Sequence, residues 1–161
     1  MVWRPPPAKA YKPRDARVTS RMMARVRSRD NSAERILRRA LHAQGLRFRL
    51  HSAQLPGKPD IVFSRARIAV FVDGDFWHGR GILEDGVRAF GRTMRTTRRD
   101  WWVAKIQANI ERDRRFTDAL IRDNWFVIRL WESVILSDVV AAARRVAKAH
   151  KRRLTVRSVR Q

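Results

Sequence analysis

Cysteine is absent from the 161 residues. That absence excludes disulfides, thiolate zinc sites and a cysteine nucleophile. No long apolar run or strongly interfacial helix is visible, which argues against a membrane partner. The N-terminus carries no apolar signal core, so a cytoplasmic, nucleoid-associated protein is expected. Acidic residues are scarce: 15 Asp and Glu stand against 37 Lys and Arg, giving a formal net charge of +22. A folded chain this basic is expected to meet a polyanion, with nucleic acid as the default partner; ribosomal-type or merely solubilising charge is the plainer alternative. Hydrophobic residues make up 44% of the chain, enough for one domain with a real core.

Residues 1–17 are rich in Pro, Lys and Arg. With Pro5, Pro6, Pro7 and Pro13 they have little to bury and read as a basic flexible arm, set at 1–18. Residues 20–27 suggest a short helix carrying Met22, Met23 and Val26. Over 31–43, Ala33, Ile36, Leu37, Ala40 and Leu41 share one helical face, with Asn31 and Glu34 as a capping box and Gly45 as the stop. Residues 46–50 alternate, Leu46, Phe48 and Leu50 against Arg47 and Arg49, as a half-buried strand does. Residues 79–97 show no period and hold four glycines; a long loop is expected, its arginines available to phosphates. The longest helix is expected over 100–124, capped by Asp100. An apolar strand follows at 126–131, broken only by Arg129. Ser137 is expected to cap a last helix with Val140, Ala143, Val146 and Ala147 on its apolar face, ahead of a basic tail at 151–161. The region between arm and tail, 19–150, is expected to form the folded domain. Strands alternating with long helices predict a single-domain α/β fold, a mixed central sheet flanked by helices.

The chain is organised around residues 55–78. Leu55-Pro56-Gly57-Lys58-Pro59 spells a turn. Asp60 follows, then two apolar runs, 61–63 and 68–72, joined by a basic tetrapeptide that suits a hairpin. The second run ends in Asp73-Gly74-Asp75-Phe76-Trp77-His78. A carboxylate opening one strand, with carboxylates and an imidazole just past its neighbour, can meet at one sheet end. Metal-dependent phosphodiester cleavage needs such a layout: an activated water, charge stabilisation and help for the leaving oxygen. Mg²⁺ prefers oxygen ligands and keeps several waters, so one firm carboxylate can suffice. An imidazole, with an ordinary pKa of about 6.5, can trade protons near neutrality. Each residue also has a plainer reading: Asp60 as a turn aspartate capping amides, His78 as a structural histidine, Asp113 within an ion-paired helix surface, and the aromatic residues as core.

Asp60 after Pro59, then Phe71-Val72-Asp73-Gly74, Phe76-Trp77-His78 and 109–115 (NIERDRR) together resemble the very-short-patch-repair (Vsr) family of DNA mismatch endonucleases, over about 19–137. That family is a branch of the PD-(D/E)XK nucleases, so the resemblance implies a restriction-endonuclease-like core and Mg²⁺. It implies a metal held by Asp60 and the Val72 backbone carbonyl, and His78 as general base in place of the lysine missing from this strand. Glu34 would be an accessory acid beside the metal, the capping box being its other explanation. Asp73 would be a helper near the metal or a ligand in its own right. Asp113 is the residue placed to orient His78. Phe76, Trp77 and Trp102 would wedge into DNA beside the mismatch, with Met23 adjacent unless it fills the core. Lys105 and Arg112 would anchor phosphates.

The resemblance breaks at a structural zinc that the family holds with cysteines and a histidine. The matching positions here are Asp75, Arg80 and Ser133, so no zinc is expected, and Asp75 and Arg80 are expected to pair instead. The expected function is a Mg²⁺-dependent endonuclease that nicks duplex DNA at a T/G-type mismatch in very short patch repair. The expected enzyme is a monomer with distorted double-stranded DNA as partner, together with repair-pathway proteins. The alternatives are a related nuclease acting on modified or damaged bases or in restriction or phage defence, and a basic DNA-binding protein without catalysis.

Overall fold

Asn31 opens the first helix with its side-chain oxygen on the Glu34 amide at 2.7 Å, which satisfies one of the free donors at a helix start. Helix α1 (Ser32–Ala43) then buries Ala33, Leu37 and Leu41. The computed structural model describes residues 31–94 and 96–158. The N-terminal arm, the helix proposed at 20–27 and Met23 lie outside the described residues.

Four strands follow in spatial order β1-β2-β3-β4: β1 (Arg49–Leu50), β2 (Ile61–Phe63), β3 (Ile68–Asp73) and β4 (Phe126–Trp131). The first three pair antiparallel, and β3 pairs parallel with β4. The hairpin closes where Arg67 N–H donates to the Ser64 carbonyl at 3.2 Å. Gly57 in the preceding turn takes φ +75°, where a side chain would press on Phe116. Strand β3 is buried along its whole length, because helices cover both faces of the sheet.

The remaining helices are α2 (Arg80–Asp85), α3 (Val87–Thr93), α4 (Arg99–Arg122), α5 (Glu132–Ser137) and α6 (Val139–Ser158). On one sheet face, Ile61, Phe63, Ile68, Val70, Val72, Ile128 and Leu130 pack against α1, α5 and α6. On the other, Ala69 and Phe71 meet Leu120 of α4. The alternation of β3 therefore sends Val72 toward α1 and Asp73 toward α4, which places the site at this end of the sheet. Among the described residues no helix is long and apolar enough to cross a membrane.

Several local expectations are corrected. The strand expected over 46–50 shrinks to Arg49 and Leu50, and Leu50 is exposed; Leu46 and Phe48 reach the core from irregular backbone. The expected loop at 79–97 folds into α2 and α3, because Phe90 is buried with Val103 and Ile106 in a small core of its own. Helix α4 starts at Arg99 with Asp100 inside its first turn rather than at the cap. Ser137 ends α5; Asp138 caps the last helix, its carboxylate on Ala141 N–H at 2.8 Å. The buried face of α6 is Ala142, Ala143 and Val146, while Val140 is exposed. That helix runs on through Ser158, across the position where the basic tail was drawn.

Candidate active site

Asp60 stands at the mouth of β2 beside the end of β3. Its Oδ2 accepts from Val72 N–H at 2.7 Å, and its backbone carbonyl accepts from His51 N–H at 3.2 Å. The His51 ring lies between two carboxylates, its Nδ1 3.9 Å from Asp60 Oδ1 and its Nε2 3.3 Å from Glu34 Oε1. Glu34 is buried on the inner face of α1 and pairs with Arg38 one turn on. One ligand atom each from Glu34, His51 and Asp60 lies within 4.8 Å of the others. Burial raises the pKa of Asp60, with the nearby Asp73 charge acting the same way; the Val72 amide, His51 and Arg38 oppose this without cancelling it. A partly desolvated carboxylate whose negative charge is under-compensated suits a cation. The donor set therefore fits a hydrated divalent ion. Val72 touches Asp60 through its amide; its carbonyl is the atom that the resemblance assigns to the metal.

His78 contacts two carboxylates, Asp113 and Asp73. Its Nδ1 lies 2.6 Å from Asp113 Oδ2 and 3.4 Å from Asp73 Oδ1. Burial alone would raise the pKa of Asp113, but His78, Arg129 and Arg112 outweigh it and hold the carboxyl below its usual range. An ionised carboxylate only accepts, so Nδ1 carries a proton, and in the neutral imidazole the lone pair is then on Nε2. Asp73 is 3% exposed, and both its oxygens are taken by Arg129, at 2.6 and 2.7 Å. Both oxygens of Asp73 thus face one guanidinium in a bidentate pair. Arg129 also reaches Asp113 at 3.4 Å and lies over the Phe71 ring at 4.7 Å.

The turn carrying His78 is fixed at two points. Asn109, buried on α4, donates from Nδ2 to the Trp77 carbonyl at 3.0 Å. Gly79 takes φ +73° directly against Ile106 and Ile110 of the same helix.

Beside this turn the aromatic rings form one surface cluster. Phe76 meets Trp77 at 5.2 Å and Trp102 at 5.7 Å between centroids, and Trp77 meets Trp102 at 5.7 Å. Trp101, against Trp102 at 4.8 Å, extends it. Phe76 is 40% and Trp101 43% exposed, while Trp77 and Trp102 are half-buried. Lys105 is exposed one turn beyond Trp101. Arg112 is exposed and donates to Asp113 at 3.0 Å and to Asn109 at 3.3 Å.

Where the family's zinc would lie, Arg80 Nη1 donates to Asp75 Oδ1 at 2.8 Å and to the Ser133 hydroxyl at 2.5 Å. Ser133 returns its backbone N–H to Asp75 Oδ2 at 3.0 Å. The three residues tie the loop after β3 to the start of α5. Although burial pushes its pKa up, bonds from Ser133 and Arg80 leave Asp75 lower than an ordinary carboxyl.

The structure thus gathers Glu34 and Asp60 in one group with His51, and His78, Asp73 and Asp113 in another with Arg129. Three participants were not singled out from sequence. His51 follows a strand end with no motif around it. Arg129 carried a signal, a lone charge in an apolar strand, without a partner to read. Trp101 sat on the stripe of α4 adjacent to that of Trp102.

Residues 13–83 match the family described as DNA mismatch endonuclease Vsr. Type II nicking enzyme V.XorIIP of Xanthomonas oryzae pv. oryzae is 42% identical over 125 residues, 78% of this chain and 86% of that protein. Type II nicking enzyme V.HpaIIP of Haemophilus parainfluenzae is 32% identical over 128 residues, 80% and 86% of the two chains. DNA mismatch endonuclease Vsr of Escherichia coli K12 is 36% identical over 121 residues, 75% and 73%.

Proposed function

We propose a reaction and a target from one premise: the chain belongs to the Vsr family and is a nuclease acting on DNA. Its mixed sheet between helices is the PD-(D/E)XK-like nuclease fold of that family. The reaction is hydrolysis of one phosphodiester in duplex DNA, leaving a nick, and the target is a mismatched base pair of T/G type. The cofactor in this reading is Mg²⁺, which Asp60 and the Val72 carbonyl would hold with Glu34 near by. When bound, such an ion polarises the phosphate and assists the attacking and departing oxygens.

The chain's own groups supply the rest. Asp113 holds the proton on His78 Nδ1, so Nε2 can take a proton from the attacking water. Arg129 clamps Asp73 and steadies Asp113, which fixes the imidazole plane. Phe76, Trp77 and Trp102 enter the stack at a distorted step, where unstacking costs least. Lys105 meets backbone phosphate. The observation that carries this reading is the 2.6 Å contact of His78 with Asp113, beside the exposed ring of Phe76 and at the end of β3 where Asp60 accepts from the Val72 amide. Two of the relatives are named nicking enzymes, which supports cleavage of one strand.

The test is a strand-resolved nicking assay with Mg²⁺ on end-labelled duplexes carrying T/G, other mismatches, modified bases or none. Cleavage of one strand of the T/G duplex, and little of the matched duplex, is expected. Preference for a modified-base duplex would move the function to restriction or defence. Binding without cleavage of any duplex would leave only a DNA-binding role.

A further inference from the structure

We propose that His51 is a third ligand of the divalent ion, making the centre a mixed nitrogen and oxygen site that binds ions of the manganese class more tightly than the Mg²⁺ of the proposed reaction. This inference rests on the reading of Asp60 as the metal carboxylate and extends it to a side chain that reading does not use. The His51 ring stands between the two carboxylates, its Nε2 3.3 Å from Glu34 Oε1 and its other nitrogen, Nδ1, 3.9 Å from Asp60 Oδ1. Donors around a six-coordinate ion of this size lie about 3 to 4 Å apart, since each bond is about 2.1 Å. One atom from each of the three side chains is within 4.8 Å of the others, so an ion needs only small rotations to collect all three.

The backbone aims the ring. His51 takes φ +46°, in the left-handed region that non-glycine residues enter infrequently. Its N–H bond to the Asp60 carbonyl fixes the histidine over the carboxylate.

Positive charge is already accommodated here. Arg38 Nη2 donates to His51 Nε2 at 2.9 Å while Arg38 also pairs with Glu34. A guanidinium only donates, so the Nε2 lone pair points at a cation. Two of the three donors thus converge on a charged group, and a divalent ion bound through Nε2 displaces the guanidinium from the imidazole. Magnesium takes oxygen donors and gives up water reluctantly, whereas imidazole suits first-row transition ions. An imidazole in the donor set therefore adds affinity for Mn²⁺ and little for Mg²⁺.

The experiment measures binding on the full chain without DNA. Mn²⁺ affinity is read by electron paramagnetic resonance, Mg²⁺ affinity by competition, and nitrogen coordination by pulsed methods that detect ¹⁴N coupling. Wild type is expected to show coupling from a bound imidazole. His51→Ala should lose it and weaken Mn²⁺ binding by about tenfold or more, with Mg²⁺ affinity moving less than about threefold. His51→Gln, which keeps size and polarity, should behave as His51→Ala does; circular dichroism checks that both are folded. Bound Mn²⁺ without nitrogen coupling, or equal weakening of both ions, overturns the proposal. Asp60→Ala separates the two levels: if it leaves Mn²⁺ binding untouched, the underlying metal assignment fails as well. If it removes binding while wild type shows no nitrogen coupling, only the role of His51 fails.

Discussion

Replacing Asp113 by Asn tests the proton-transfer half of the site with almost no change in shape. In the wild type the Asp113 carboxylate accepts from His78 Nδ1 at 2.6 Å, a short charge-assisted bond. Hydrogen bonds to charged groups are worth about 1.5–3 kcal/mol. At about 1.4 kcal/mol per factor of ten, losing that bond as the imidazolium forms slows cleavage by about 10- to 100-fold. A second loss adds to it. An amide can present N–H to Nδ1, which moves the ring proton to Nε2 and removes the base. The whole general-base contribution, about 10²- to 10⁴-fold, sets the ceiling. The expected result is a single-turnover nicking rate lower by about 10²-fold or more, with duplex affinity within about threefold of wild type. Arg129 keeps both oxygens of Asp73, so the thermal midpoint should fall only modestly. A variant that is folded, binds normally and cleaves within about threefold of wild type would refute the role given to this pair.

Further outcomes follow from the same geometry. Gly79→Ala places a Cβ 2.5 Å from Ile110 Cδ1 at φ +73°; left-handed strain and overpacking together should cost about 2–4 kcal/mol in urea unfolding. Trp102→Ala removes one wall of the aromatic cluster and should weaken binding to a mismatched duplex by about 1–3 kcal/mol. Matched duplex should be affected less in the same anisotropy titration. Asp75 has a lowered folded pKa, so its stability contribution is present above the usual carboxylate range and lost as pH falls through the lowered value. Asp75→Asn should therefore flatten that segment of the acid-unfolding curve; an unchanged curve would mean that the Arg80 and Ser133 contacts carry no net stability.

Much of the framework was legible because it rests on local signals. Asn31 and the periodic apolar residues define α1 without help, the Pro-Gly turn and basic tetrapeptide define the central hairpin, and β4 falls on its apolar run. The ion pair between Asp75 and Arg80 was also readable, from complementary charge at two positions otherwise given to metal ligands. Segment 79–97 was not legible, since its glycines mark helix boundaries at Gly79 and Gly86 rather than loop. Only the pocket around Phe90, built with residues of α4, shows why those short helices form. Arg129 was obscure for a related reason: its partners, Asp73 and Asp113, come from other elements, and pairing across a parallel ladder has no local signature. His51 needed both the left-handed backbone and the fold of α1 over the sheet before it met Glu34.

The central claim is that one carboxylate at the mouth of β2 is required for cleavage and dispensable for holding DNA. Single-turnover nicking of a T/G duplex by Asp60→Ala, measured beside its affinity for the same duplex in Mg²⁺, tests this most directly. The account predicts loss of nicking by several orders of magnitude with binding retained. Full metal-dependent nicking by the variant would contradict it.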